Sequence, residues 1–446
     1  MPTADSIIAI HIWHFVLKDF YFPFSIILMK KIIILIALLF LIPSHAYYNE
    51  EKIWKMQYDG YHNCTREWWN VDAFIKADKN YSITASFEYE KETPAANLFF
   101  TVFDWDEKIV YDCGSYGDNI STLQCSGKYY VNLTYGKSWM KGGYPSYKVH
   151  FENKGIVVEM ELIAEAKAKF VVEEEGGVLP MGFGYYRYLF IPKCKARGWI
   201  SINGEIKNFE GIAYYEHVWG NWSYHNPLKG ATISPYLNLA RWWWKNKNIS
   251  FDSLTLSSNN PFGYDWAWIA FENGWSIFYG VIPFWIGEIP LGIAYLYNGS
   301  KIIEFGSINY EYLDGVFYGG TYIPTKIKVV AKGKGELSFI MEMKNKPHIY
   351  ENKLHSLYWK KLILYECPGN ASGYYKSLDG KRIKLIGKCE IEIERQISIF
   401  EYVMFKIMPY SDGFQFIFLS YLLNFMIILQ LSLHPFSINF SFSNIR

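Results

Sequence analysis

The stretch Gly211-Ile-Ala-Tyr-Tyr-Glu-His-Val-Trp-Gly-Asn-Trp222 places a carboxylate, an imidazole and two indoles within a few residues. These groups titrate, donate hydrogen bonds and present π faces. A carboxylic acid enclosed by indoles keeps its proton near neutrality, because desolvation disfavours the anion. Indole and phenol faces stabilise a cation beside them. The chemistry suggested is proton delivery to an apolar molecule. Two more segments carry similar groups: Arg66-Glu67-Trp68-Trp69-Asn70, and Gly263-Tyr-Asp-Trp266-Ala-Trp268-Ile-Ala-Phe271, which runs on to Asn273-Gly274. Glu216, Glu67 and Asp265 are the candidate acids, with His217 as proton partner. Trp68, Trp69, Trp219, Trp222, Trp266 and Trp268 are the candidate ligand-binding walls.

Plainer readings stand beside these. Trp68 and Trp69 are adjacent, so in a strand they face opposite sides and only one can line a given cavity. The run Trp242–Trp244 has the same limitation. His217 could simply hydrogen-bond across a domain junction, Glu216 could pair with Arg66 or Arg241, and Asp265 could open a strand.

The elements that must position these groups read as strands. Short alternating runs broken by Gly, Asn, Asp and Pro recur after Tyr47, as in Tyr81–Phe87, Leu98–Phe103, Tyr147–Phe151 and Ile156–Leu162. A second series includes Trp266–Phe271, Ser276–Val281, Ile327–Val330, Leu337–Met343 and Cys389–Glu394. Ala164–Phe170 is rich in helix formers, but its Lys/Ala alternation fits a strand as well. Many short strands with regular turns argue for sandwiches or barrels. The expected fold is all-β, with domains at 47–228 and 229–400 and a break near Asn226-Pro227.

Aromatic residues make up 19% of the 446, which suits β-structure around an aromatic-lined cavity. With 44 Lys+Arg against 43 Asp+Glu, no basic field points to nucleic acid. Met29-Lys30-Lys31, the apolar run Ile32–Ile42 and Ser44-His45-Ala46 read as a signal peptide over 29–46. On that reading Met29 is the start and 1–28 lie upstream of it; an uncleaved anchor is the rival. Phe414–Leu433 is long enough to cross a bilayer at roughly 20 residues, as a C-terminal anchor or a read-through tail. Nine Asn-x-Ser/Thr sequons accord with export and glycosylation.

All six cysteines follow the signal segment. Cys113/Cys125 and Cys367/Cys389 each flank a turn region that a disulfide of about 3 kcal/mol could close. With no C-x₂-C spacing and scattered histidines, no metal and no cofactor is expected. Oligomeric state is not legible.

In order and spacing, the three segments and Ile386-Gly387-Lys-Cys-Glu390 resemble the lipocalin-like family of AttH and the carotenoid 1,2-hydratases. That family's pattern is Glu-Trp-Trp, then Asp-His-x-Trp-Gly, a Trp-rich strand into Asp/Asn-Gly, and Gly-x-x-x-Glu. The resemblance covers roughly 55–395 and implies two tandem calycin-type β-barrels and an apolar, isoprenoid or lipid ligand. The family's Asp before the His is Glu216 here, and an Arg usual after the third segment is missing from Tyr279–Pro283. Three functions follow as expectations: an apolar-ligand binder, a hydratase or cyclase acting on a polyene with Glu216 as acid, or an extracellular glycan-binding or structural protein. They differ in where the aromatics point.

Overall fold

The computed structural model describes residues 59–398 apart from 173–176, 182–183, 227–228, 231, 233, 236–262, 283–290 and 355–358. The segments 1–28, 29–46 and 414–433, Arg241 and Trp242–Trp244 lie outside the described residues. Among those described, no helix is long and apolar enough to cross a membrane.

Among the described residues every long element is a strand, and these strands form two antiparallel sheets. The first holds β1 (Arg66–Lys76), β2 (Asn80–Glu90), β3 (Ala95–Asp104), β4 (Ile109–Asp112), β5 (Ser115–Asn119), β6 (Leu123–Cys125) and β7 (Val131–Tyr135). It continues through β8 (Ser138–Gly143), β9 (Ser146–Asn153), β10 (Ile156–Ala164), β11 (Lys169–Phe170), β12 (Val178–Met181), β13 (Gly184–Ile202) and β14 (Glu205–Asn221). Its order is β4-β3-β2-β1-β14-β13-β10-β9-β8-β7-β6, with β5 on β3 and β11 and β12 on β13. Within Ala164–Phe170, Ala164 ends β10 and Lys169–Phe170 form β11, with 165–168 outside any strand.

The second sheet holds β15 (Gly263–Phe271), β16 (Ser276–Ile282), β17 (Leu291–Tyr297), β18 (Ile302–Phe305) and β19 (Ser307–Tyr318). β20 (Thr321–Gly333), β21 (Gly335–Met343), β22 (His348–Lys353), β23 (Trp359–Lys376) and β24 (Arg382–Ser398) complete it. Its order is β18-β17-β16-β15-β24-β23-β21-β20-β19, with β22 on β23. Both sheets curl into lipocalin-like half-barrels, each around its own apolar core.

A third apolar cluster joins the barrels. Phe74, Tyr214 and Val218 from the outer face of β1 and β14 meet Trp266, Trp268, Phe278 and Tyr295 from the outer face of β15–β17. A bulge in β13 between Ile191 and Cys194 releases the Pro192 carbonyl, which accepts from Trp268 Nε1 at 3.0 Å. The Trp-Gly of the central segment has a local cause as well. A Cβ at Gly220 would lie 2.2 Å from the Tyr185 carbonyl oxygen of the paired strand.

The six cysteines are free thiols, which corrects the expectation of two hairpin disulfides. On adjacent strands Cys367 pairs with Ile391 and Cys389 with Gly369, an offset of two residues. Diagonal neighbours of that kind sit about 7–8 Å apart, against a Cβ separation of about 3.5–4.5 Å for a disulfide.

Candidate functional site

Strand alternation divides the central motif. On β14, Ala213 and Tyr215 point into barrel 1 while Tyr214 and Val218 point toward barrel 2. His217 therefore faces inward and Glu216 outward, so the acid and its expected proton partner sit on opposite faces of one strand. On β1, Trp69 and Val71 face the core of barrel 1 whereas Phe74 and the half-buried Trp68 face barrel 2. Two sites result.

The site between the barrels is built around Glu216. Trp68 Nε1 donates to Glu216 Oε1 at 2.9 Å. Tyr214 Oη donates to Oε2 at 3.0 Å, and Tyr188 Oη, from β13, donates to the same oxygen. Trp266 Nε1 donates to Tyr188 Oη at 2.9 Å, extending the chain into barrel 2. Burial raises the Glu216 carboxyl above its ordinary value, with the hydrogen bonds from Tyr188, Trp68 and Tyr214 opposing it. Burial and the neighbouring Glu216 push both tyrosines well above the ordinary phenol range, so they act as donors. Glu216 forms part of the wall of a pocket of about 60 Å³ whose lining also includes Met181, Tyr186 and Phe278. Trp68, Asn70, Tyr264, Glu216 and Glu392 also border an adjoining cleft of about 650 Å³, lined farther out by Arg66, Glu88, Glu90 and Tyr350.

Such an arrangement favours the protonated form of a carboxyl beside aromatic side chains, at the apolar end of a larger polar opening. Trp222 supports it, its ring 5.5 Å from Trp68 and edge-on. Trp268 is buttress rather than wall, stacked on Phe74 at 4.9 Å. Arg66 is taken by Glu88 and Glu90, so it does not pair with Glu216. Sequence reading missed Tyr188 and Tyr214. The available signal was Tyr186-Arg-Tyr188-Leu-Phe190, whose period of two marks one aromatic face of β13.

Inside barrel 1, Glu67, His217, Trp69 and Trp219 form a separate cluster with two residues not singled out from the sequence, Asp59 and His62. His217 Nε2 lies 2.8 Å from Glu67 Oε1 and its Nδ1 3.1 Å from Asp59 Oδ1. His62 Nδ1 approaches the same Glu67 oxygen at 2.8 Å, and Tyr89 Oη donates to Glu67 Oε2 at 2.8 Å. Trp219 stacks on His62 at 4.2 Å and Trp69 on His217 at 4.7 Å. Burial opposes charge on His217, yet Asp59 and Glu67 outweigh it and raise its pKa. Burial lowers that of His62. Asp265 borders the pocket beside Glu216, but its carboxylate is turned away from it. It points into barrel 2, with Arg395 Nη2 2.7 Å from its Oδ1 and Tyr312 Oη donating to its Oδ2.

Further acids line the inter-barrel space. Burial, then repulsion from Asp72, Glu366 and Glu392, holds Glu390 well above its ordinary 4.5. Both its carboxyl oxygens lack a hydrogen-bond partner. Below pH 4.5 Glu390 is protonated folded or unfolded; above it the unfolded chain releases the proton first, so this contribution to stability is lost as pH rises. Thermal unfolding is expected to show a Tm that falls as pH rises above 4.5. Glu390→Leu removes an unsatisfied buried group and is expected to add about 1–3 kcal/mol and to flatten that slope. An unchanged slope with lower stability contradicts the assignment.

No family model matches this sequence, and no curated protein matches it. Solved structures do. An AttH-type protein from Nitrosomonas europaea superposes with a TM-score of 0.52 at 14% identity, over 79% of this chain and 97% of that one. Kievitone hydratase from Nectria haematococca gives 0.50 at 14% identity, over 73% and 88% respectively. The chain has the fold of the AttH-like lipocalin-fold proteins.

Proposed function

We propose that this protein binds a largely apolar small molecule between its two barrels, its isoprenoid- or polyene-like end at Glu216 and its polar end in the adjoining cleft. The observation that carries this reading is the placement of Glu216, a buried carboxyl held by Trp68, Tyr188 and Tyr214 where an aromatic pocket meets that cleft. The motif tryptophans are buried or half-buried rather than set out as a flat strip, which favours an apolar ligand over a glycan.

The same observation favours acid catalysis on the bound molecule. Protonated Glu216 gives its proton to one alkene carbon, and the π pair forms the new C–H bond. The cation left on the other carbon faces the indole of Trp68. Water captures it and returns a proton to the Glu216 carboxylate, for net addition of water. The fold shared with kievitone hydratase accords with that reaction type.

Native mass spectrometry of the full chain, isolated gently from membrane extract, tests the binding reading. It is expected to show one bound hydrophobic molecule per chain, lost on Tyr188→Ala. Bare protein from every preparation, with no uptake of added polyenes, overturns it.

A further inference from the structure

The cluster inside barrel 1 belongs to no step of the chemistry above, and its geometry suits another ligand. Two imidazole nitrogens, His62 Nδ1 and His217 Nε2, converge on one oxygen, Glu67 Oε1, each at 2.8 Å. The main-chain N–H of His62 is shared between that oxygen and Glu67 Oε2, at 3.1 Å from each. Two imidazole nitrogens and a shared main-chain N–H therefore fill both lone pairs of one carboxylate oxygen. The three side-chain atoms all lie within 4.8 Å of one another.

We propose that His62, Glu67 and His217 bind a first-row divalent cation, Zn²⁺ being the best match. Two imidazoles and one carboxylate are a zinc-type donor set, with room for water as the fourth ligand. At bond lengths of about 2.1 Å a tetrahedral ion needs its ligands about 3.4 Å apart. The two 2.8 Å contacts to Glu67 open by about 0.6 Å to admit it, and the imidazole nitrogens, within 4.8 Å of each other, settle to the same spacing. The surroundings are those of a built site. Asp59 Oδ1 holds His217 Nδ1 at 3.1 Å, which fixes the tautomer that presents the Nε2 lone pair. Tyr89 Oη holds the other oxygen of Glu67. Glu67 and His217 are fully buried, whereas the side chain of His62 is 20% exposed and is the side from which an ion and its water enter. His62 and Asp59 precede β1, while Glu67 and His217 lie on β1 and β14. The ion would tie the segment before the first strand to the barrel.

The sequence hid this site because its histidines are 155 positions apart and meet only through the register that pairs β1 with β14.

The test uses the full chain stripped with chelator, then titrated with Zn²⁺ and, separately, with Co²⁺. One ion per chain, a Co²⁺ visible spectrum of tetrahedral intensity and a Tm that rises with Zn²⁺ are expected. His62→Ala, at the half-buried member, is expected to weaken binding at least 100-fold with the metal-free circular dichroism spectrum unchanged. Asp59→Asn is expected to weaken it 10- to 100-fold. A wild-type chain that is folded yet binds neither ion at 100 µM overturns the proposal. So does a His62→Ala chain that binds as tightly as wild type; the cluster is then a hydrogen-bonded ion network only.

Discussion

Glu216→Gln is expected to abolish turnover of an unsaturated ligand, lowering kcat by about 10³-fold or more while ligand affinity stays within a few-fold. A positioned general acid contributes about 10²–10⁴-fold, and an amide has no proton of comparable acidity to give. Its shape is nearly that of the acid, so the pocket and the contacts from Trp68 and Tyr214 survive in outline. Loss of kcat without loss of affinity separates a proton donor from a wall. Glu216→Asp makes a finer probe, because the resembled family carries Asp there. Shortened by one methylene, the carboxyl cannot hold both Trp68 and Tyr188, and kcat is expected to fall about tenfold. Single-turnover kinetics with a polyene that the wild type hydrates, alongside ligand titration, makes the measurement. Turnover retained in Glu216→Gln removes the acid role and leaves the binding reading intact.

How much of this could be read from the chain follows from periodicity. Alternation such as Ile156-Val-Val-Glu-Met-Glu-Leu162 marks a strand with one buried face, and that run lies within β10. The two-barrel fold was legible because many such runs are separated by turns, and because the motif segments resemble a family of that fold. The site was legible only in part. Glu216 and His217 are neighbours in the chain, and proximity in sequence suggested a shared task. Backbone pleating sends them to different compartments, one between the barrels and one inside barrel 1. Adjacent Trp68 and Trp69 part in the same way. What no local pattern encodes is register. Asp59 and His62 reach Glu67 and His217 across a barrel end, and Tyr188 reaches Glu216 from a neighbouring strand. Cysteine spacing misled for the same reason: Cys367 and Cys389 lie on paired strands but two residues out of step.

Asp265 lies in the most motif-like part of the second half, and its role is tested by stability rather than by catalysis. It and Arg395 are each 1% exposed in the core of barrel 2. Nη1 of Arg395 donates to the carbonyls of Tyr264 and Glu394, and Tyr312 Oη donates to Asp265 Oδ2. A charge pair so enclosed gains little net stability, since desolvating two ions consumes most of their attraction. Removing one partner is another matter, because the survivor is left charged and dry. Arg395→Met is expected to cost about 3–5 kcal/mol, and Asp265→Leu a similar amount. Made together, the two substitutions leave no orphan charge, only the Tyr312 hydroxyl to be satisfied. The double variant is expected to be more stable than the sum of the singles predicts, with a coupling energy of about 2 kcal/mol or more. Chemical denaturation of the four proteins measures this directly. Additive losses would mean that Asp265 and Arg395 act separately, and the carboxylate would then be free for a task inside barrel 2. Strong coupling identifies Asp265 as an ion-pair residue that fixes how β15 meets β24. The Trp266 and Trp268 side chains, one and three residues farther along β15 and so on its opposite face, are then aimed at barrel 1 by that pairing.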